Sequence, residues 1–175
     1  MKDKEVEIMY SIRPAKLADA LPIAIVTVYT WKTSYSGLIP DSFIDDRIAG
    51  IREVSSTIRS RIEDKNTYWV AEADGCVVGF CCSGPSRDPI YADAGEIYAL
   101  YVLSGYQGLG IGAALFAAAR DELSAKGYNE FIVNCLAGNS SAEFYRKQGG
   151  VFCHVRTDRY ADTDVDENVF AFRIQ

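Results

Sequence analysis

The spacing of apolar residues changes period several times along the chain. Glu7-Ile8-Met9-Tyr10-Ser11-Ile12-Arg13 predicts a strand that Pro14 ends. Lys16 to about Tyr35 is apolar-rich and predicts a long helix. Pro22 near its start puts the true N-terminus close to Asp19, a residue able to cap it. Trp31 to Pro40 reads as the helix end and a loop. From Asp41 to Lys65, Phe43, Ile44, Ile48, Ile51, Val54, Ile58 and Ile62 recur at helical spacing. The period then drops to that of strands over Thr67–Ala73 and Cys76–Ser83, joined by the hairpin dipeptide Asp74-Gly75. Gly95–Leu103 is another strand, and Gly108–Lys126 a helix stopped by Gly127. A strand at Glu130–Leu136 and a short helix over Ser140–Gln148 follow, with Ser140 and Glu143 spaced as a capping box. Gly150–Arg156 and Asn168–Ile174 predict two last strands. This order gives an α/β (α+β) mixed sheet with helices packed on it.

No repeat or linker interrupts the pattern, so all 175 residues, 1–175, read as one domain. The longest apolar run, Ile111 to Ala119, is far short of a membrane span. Met1-Lys2-Asp3-Lys4-Glu5 opens without an apolar leader segment. The expectation is a soluble cytoplasmic protein with no membrane partner. Asp plus Glu is 24 against 18 Lys plus Arg, a formal charge of -6, which disfavours a broad nucleic-acid surface. That surplus is weakly compatible with a cationic amine partner. His154 is the single histidine, so a multi-histidine metal site is excluded and no metal is expected. The cysteines Cys76, Cys81, Cys82, Cys135 and Cys153 form no CxxC pair and read as buried reduced thiols. The rival, a Cys–His nucleophile, would need His154 beside one of them.

The richest segment is Tyr106-Gln107-Gly108-Leu109-Gly110-Ile111-Gly112, between a strand and a helix. Glycine costs about 1 kcal/mol relative to alanine inside a helix, so this crowding needs a reason. Glycines let the backbone approach a ligand closely. The first amides of the following helix lack internal partners, and with the helix dipole they make a phosphate site. The structural alternative is a tight strand–helix turn without a ligand. A P-loop is excluded because no Lys-Ser or Lys-Thr follows. Gly108, Gly110 and Ala113 satisfy a dinucleotide pattern. However, Leu103–Gln107 intervene after the strand, and the next strand ends in Cys135-Leu136-Ala137 without an acid.

Gln107-x-x-Gly110-x-Gly112 resembles the acetyl-coenzyme A signature of the Gcn5-related N-acetyltransferase (GNAT) superfamily. Asn139-Ser140-Ser141-Ala142-Glu143-Phe144-Tyr145, followed by Gly149, resembles that family's second cofactor motif. Trp31-x-x-x-Tyr35-x-Gly37-x-Ile39-Pro40 resembles the first-helix loop of many small bacterial members. The element order matches from Glu7 to Ile174. Two departures, Ser104-Gly105 in place of a proline-containing pair and Gly150 in place of an aromatic, bear on loop shape only.

The resemblance implies a mixed, mostly antiparallel sheet of about seven strands flanked by about four helices. It implies acetyl-CoA as co-substrate. Gln107, Gly108, Leu109, Gly110, Ile111 and Gly112 would hold its pyrophosphate, and Leu100, Tyr101 and Val102, at a strand bulge, its pantetheine arm. Asn139 and Phe144 would also contact it, although an Asn at a helix start is equally a cap. Glu96 precedes Gln107 by the interval that separates the catalytic glutamate from the motif glutamine in histone acetyltransferases. Glu96 is therefore the candidate base, direct or through water; the alternative is a strand-end carboxylate, solvated or paired with an arginine. Alternation puts Glu96, Tyr98, Leu100 and Val102 on one face. Tyr145 is the candidate acid for the leaving thiolate, or else a core tyrosine. Trp31, Tyr35 and Tyr98 would line the acceptor pocket. The acceptor is an amine: a polyamine, a protein N-terminus or lysine, an aminoglycoside or an amino acid. A homodimer stays open. A non-catalytic acyl-CoA sensor and a dinucleotide-binding module are the rival readings.

Overall fold

The hairpin at Asp74-Gly75 seeds the sheet. In the computed structural model, which describes residues 8–64 and 67–174, both turn residues take positive φ, 51° and 75°. The expectations that rest on Met1–Glu7, Lys65 and Gln175 lie outside the described residues. The strands are β1 (Tyr10–Pro14), β2 (Thr67–Ala73), β3 (Cys76–Pro85), β4 (Gly95–Val102), β5 (Glu130–Leu136), β6 (Val151–Tyr160) and β7 (Thr163–Arg173). The helices are α1 (Ala20–Ser34), α2 (Asp41–Ala49), α3 (Ile51–Glu63), α4 (Ile111–Ala125) and α5 (Ser141–Lys147). The strands form one seven-stranded sheet in the order β1-β2-β3-β4-β5-β7-β6. Among the described residues, only the β4–β5 pair of neighbouring strands is parallel.

Each face of the sheet buries its own apolar cluster. On one face α4 and α5 cover Phe131 and Phe172 with Leu115, Phe116, Leu123 and Tyr145, and the Phe131 and Phe172 rings stack 4.8 Å apart. On the other, α1 and α3 cover Val70 and Phe80 with Ile23, Val26 and Ile58. A smaller cluster of Ile39, Ile44 and Leu136 fixes α2 and the loop before it. Among the described residues, no helix is long and apolar enough to cross a membrane.

Several boundaries differ from the sequence pattern, each for a local reason. The single helix expected over Asp41–Lys65 is two, broken at Gly50, so among the described residues five α-helices stand where about four were expected. The break lets α2 and α3 cover different clusters. The last two strands run far beyond Arg156 and start well before Asn168, closing in a turn where Ala161 has φ 54°. This tip carries mostly exposed polar residues, so no apolar alternation marks it. The Asp19 side chain does not cap α1. It accepts the Lys16 N–H at 2.7 Å and two bonds from the Arg13 guanidinium, at 2.7 and 3.0 Å. No Ser140 capping box forms; Asn139 Oδ1 accepts the Ser141 N–H at 2.8 Å instead. Cys81, Cys82 and Cys135 are buried, whereas Cys76 beside the hairpin turn and Cys153 on edge strand β6 are exposed.

Gly79, in the middle of β3, is packed tightly against β4 and the Leu115 side chain of α4. A Cβ there would stand 2.8 Å from the Tyr101 carbonyl oxygen and 3.1 Å from Val102. Gly79→Ala is therefore expected to destabilise the fold by about 1–3 kcal/mol, the cost of overpacking a filled interior. Urea denaturation of the two proteins checks this, and an unchanged midpoint would contradict it.

Candidate active site

β4 and β5 pair over only three positions, Gly95↔Phe131, Glu96↔Ile132 and Ile97↔Val133. Beyond them β4 follows β3 as far as Val102, and β5 follows β7 as far as Leu136. The two strands part, leaving backbone groups of residues 98–102 facing a wedge without a strand partner. The register of β4 on β3 shifts between Ile97↔Ser83 and Ala99↔Cys82, which makes Tyr98 the extra residue of a bulge. The bulge also reverses the side-chain alternation. Leu100 and Val102 pack with the α4 cluster, whereas Tyr98, Ala99 and Tyr101 pack with the α1 and α3 cluster. The expectation that Glu96, Tyr98, Leu100 and Val102 share one face fails for that reason.

A cavity of about 480 Å³ occupies the wedge, lined by Leu100, Tyr101, Val102, Gln107, Gly108, Gly110 and Gly112 among others. Gly108 and Gly110 take φ 79° and 81°, a left-handed conformation that side chains disfavour, and α4 begins only at Ile111. The Ala114 N–H reaches the Gly110 carbonyl at 3.0 Å, so the three preceding amides of α4 have no partner within the helix. Ile111 anchors this turn by a fully buried side chain, while Leu109 is exposed. Gln107 Nε2 donates to the Val102 carbonyl at 2.9 Å and ties the glycine turn to the end of β4. The Phe144 ring lies against Gly112, close enough to touch an added Cβ at 3.6 Å. Asn139 lines the cavity, caps α5, and donates from Nδ2 to the Ser34 carbonyl at 3.4 Å.

A second cavity of about 410 Å³ lies on the α1–α3 side of the sheet. Tyr35, Leu100, Tyr101, Asn134 and Tyr145 line both cavities, so they mark the junction. Trp31 Nε1 donates to the Tyr101 hydroxyl at 3.0 Å, and the Tyr35 hydroxyl donates to the same oxygen at 3.2 Å. Trp31 stacks on Phe43 with centroids 5.8 Å apart. Tyr98 lines this cavity further out, its hydroxyl donating to the Pro85 carbonyl at 2.5 Å and its ring under the Arg87 guanidinium at 4.4 Å. Burial pushes the Tyr35, Tyr101 and Tyr145 phenols above their ordinary range, well above it for Tyr35 and Tyr145. All three are neutral donors at pH 7.

Glu96 is completely buried and lines neither cavity. Its Oε2 accepts the Arg87 backbone N–H at 2.7 Å. Its Oε1 accepts Arg87 Nη2 at 2.5 Å, Arg87 Nε at 3.2 Å and Asn134 Nδ2 at 3.0 Å. Asn134 turns its Oδ1 away from the carboxylate, and that buried oxygen has no partner among the described residues.

The family model described as the acetyltransferase (GNAT) family matches residues 29–150. The chain belongs to the GNAT acetyltransferase family. It is 33% identical over 138 residues to the uncharacterized N-acetyltransferase YuaI of Bacillus subtilis, covering 79% of this chain and 78% of that protein. In fold it is similar to a GCN5-related N-acetyltransferase from Rhodopseudomonas palustris, with TM-score 0.77, 19% identity, and 98% and 99% of the two chains covered. It is also similar to the PaiA N-acetyltransferase from Thermoplasma acidophilum, solved with coenzyme A, with TM-score 0.73, 20% identity, and 95% and 100% covered.

Against the GNAT expectation, the structure gathers Leu100, Tyr101, Val102, Gln107, Gly108, Gly110, Gly112, Asn139, Phe144 and Tyr145 around one groove. It sets Trp31, Tyr35 and Tyr98 around the adjoining cavity. It holds Glu96 apart from both. Two residues that line these cavities were not singled out from the sequence, Arg87 and Asn134. Asn134 carries a visible signal, a lone amide inside the apolar run Phe131–Leu136, but nothing in the loop around Arg87 marks its partner. The half-exposed Arg87 offsets the fully buried Glu96 charge. Arg87→Ala should therefore cost more stability than Glu96→Gln, by about 1–3 kcal/mol, because it strands a buried carboxylate. Urea denaturation of both variants gives the order, and the reverse order would refute this role for Arg87.

Proposed function

We propose that this protein is an acetyl-CoA-dependent N-acetyltransferase that moves an acetyl group to a primary amine by direct attack in a ternary complex. The observation that carries the reading is the junction. A groove beginning at unpaired amides meets an aromatic cavity at Tyr145, Tyr101, Tyr35 and Asn134. The amides from Gly108 to Ala113 fit a pyrophosphate, because they are unpartnered donors at a helix N-terminus. The free backbone edge of residues 98–102 fits the amide-bearing pantetheine arm as an added strand would, with Asn139 and Phe144 on the far wall. When bound, acetyl-CoA supplies an activated acetyl thioester.

The chain's own groups then have distinct tasks. The second cavity orients the amine, and Asn134 Oδ1 offers it a hydrogen-bond acceptor. An amine of pKa about 10 must lose a proton before attack. Glu96 can receive it through water only, since Arg87 and Asn134 occupy its carboxylate. A backbone N–H of residues 98–102 faces the oxygen on which charge develops. As the nitrogen–carbon bond forms and the carbon–sulfur bond breaks, Tyr145 donates its proton to the sulfur and regains one from solvent. Its raised pKa keeps it in the donor form beyond pH 10.

The burial of Glu96 favours one rival, an acyl-CoA-binding protein without turnover, and a single set of assays separates the two. Acetyl-CoA at millimolar concentration is expected to raise the melting temperature, because a ligand of the native state stabilises it by mass action. With an accepted amine, free thiol should appear mole for mole with amide. Tyr145→Phe should keep the thermal shift and lose about 10²–10⁴ in kcat. The wild-type kcat should show no fall attributable to Tyr145 below pH 10. No thermal shift would overturn the reading; a shift without turnover of any amine would favour the sensor. A Glu96→Gln variant with an unchanged pH–rate profile would remove Glu96 from the proton path.

A further inference from the structure

The acceptor cavity differs in charge from the protein around it. The chain carries a formal charge of -6, yet Arg47, Arg61, Arg87, Arg156 and Arg159 all line this one cavity. The acids in its lining are Asp158 and Glu167. Both are taken. Arg156 Nε bonds Glu167 at 2.9 Å, Arg156 Nη2 lies 3.8 Å from Asp158, and the Tyr160 hydroxyl donates to the other Glu167 oxygen at 2.9 Å. Arg159 is held by Asp164 at 2.8 Å, and Arg87 by Glu96.

Arg47 and Arg61 are left. Among the described residues neither has a carboxylate within ion-pair distance. Arg47, from α2, covers the Phe43 ring at 5.2 Å, and Arg61, from α3, lies beside the Tyr68 hydroxyl. Both side chains line this cavity. A polyamine entering it would meet no uncommitted carboxylate and two uncommitted cations. An amine bearing an acid group would meet a guanidinium fork that matches a carboxylate in charge and geometry. The volume of about 410 Å³ suits a small molecule.

Building on the acetyl-transfer reading above, we infer that the acceptor is a small amine carrying an acid group, of the amino-acid class. Its acid end is held by Arg61 and Arg47, and its amine points to the junction at Asn134 and Tyr145. This narrows the amine classes left open by the sequence, and it runs against the cationic acceptor with which the overall charge is compatible.

The test is equilibrium binding, which does not depend on turnover. The twenty L-amino acids, each beside its own carboxamide, and spermidine are titrated into the intact protein by calorimetry. At least one acid should bind about tenfold or more tightly than its carboxamide and than spermidine. Arg61→Gln and Arg47→Gln, changes on exposed helix positions, should each weaken that acid about tenfold while leaving its carboxamide and the acetyl-CoA thermal shift unchanged. In turnover, the same changes should raise KM for the acid with kcat held. Carboxamides or spermidine binding as tightly as every acid would overturn the inference, as would binding in no arm, or arginine variants indistinguishable from wild type. Selective, arginine-dependent binding of an acid without acetylation would support the inference and overturn the transferase reading instead.

Discussion

Three residue pairs hold β4 to β5, and the rest of the site follows from their stopping there. A parallel pair that continued would satisfy the backbone groups of both strands and leave no room between them. The extra residue Tyr98 re-aims β4, so its second half stays with β3 while β5 departs with β7. The resulting wedge has an unpaired backbone edge on one wall and unpaired helix amides at its mouth. The unmet hydrogen bonds of a broken sheet and of a helix start are thereby gathered in one place. The same bulge turns Tyr101 toward the α1 side, where its hydroxyl collects Trp31 and Tyr35. One inserted residue thus shapes both cavities and the junction between them.

The electrostatics of the site are organised locally, not by net charge. Glu96 sits in a fully buried position that only multiple donors can make tolerable, and Arg87 and Asn134 supply them. Across the second cavity, arginine–carboxylate pairs hold the walls, while among the described residues Arg47 and Arg61 have no carboxylate within ion-pair distance. At the glycine turn the groove offers backbone amides, and among the described residues no lysine or arginine lines it. On the proposed reading, net negative charge is no bar to polyanionic or acidic ligands, because short-range donors decide at these distances.

Much of this was legible in the sequence. The glycine turn, Asn139 and Tyr145 carry local patterns, and all of them lie at the groove. The hairpin at Asp74-Gly75 and the strand at Phe131–Leu136 follow directly from turn chemistry and apolar runs. What stayed hidden depends on long-range contact. A bulge at Tyr98 has no signature in Gly95–Val102, so simple alternation put Glu96 and Leu100 on one face. The polar extension of β6 and β7 lacks an apolar stripe because most of it is exposed, with only Tyr160 and Val165 packing against the small cluster under α2 among the described residues. The partner of Glu96 is a loop arginine whose position is fixed by the β3–β4 connection, not by spacing.

The central claim is that the parted strands and the α4 amides together form the acetyl-CoA groove. Amide-resolved NMR during a coenzyme A titration tests it most directly. The account predicts the largest shift changes at the amides of Gly108 to Ala113 and of residues 98–102, saturating together with one affinity. Coenzyme A that leaves these amides unmoved while perturbing another surface, such as the β6 edge, would contradict it.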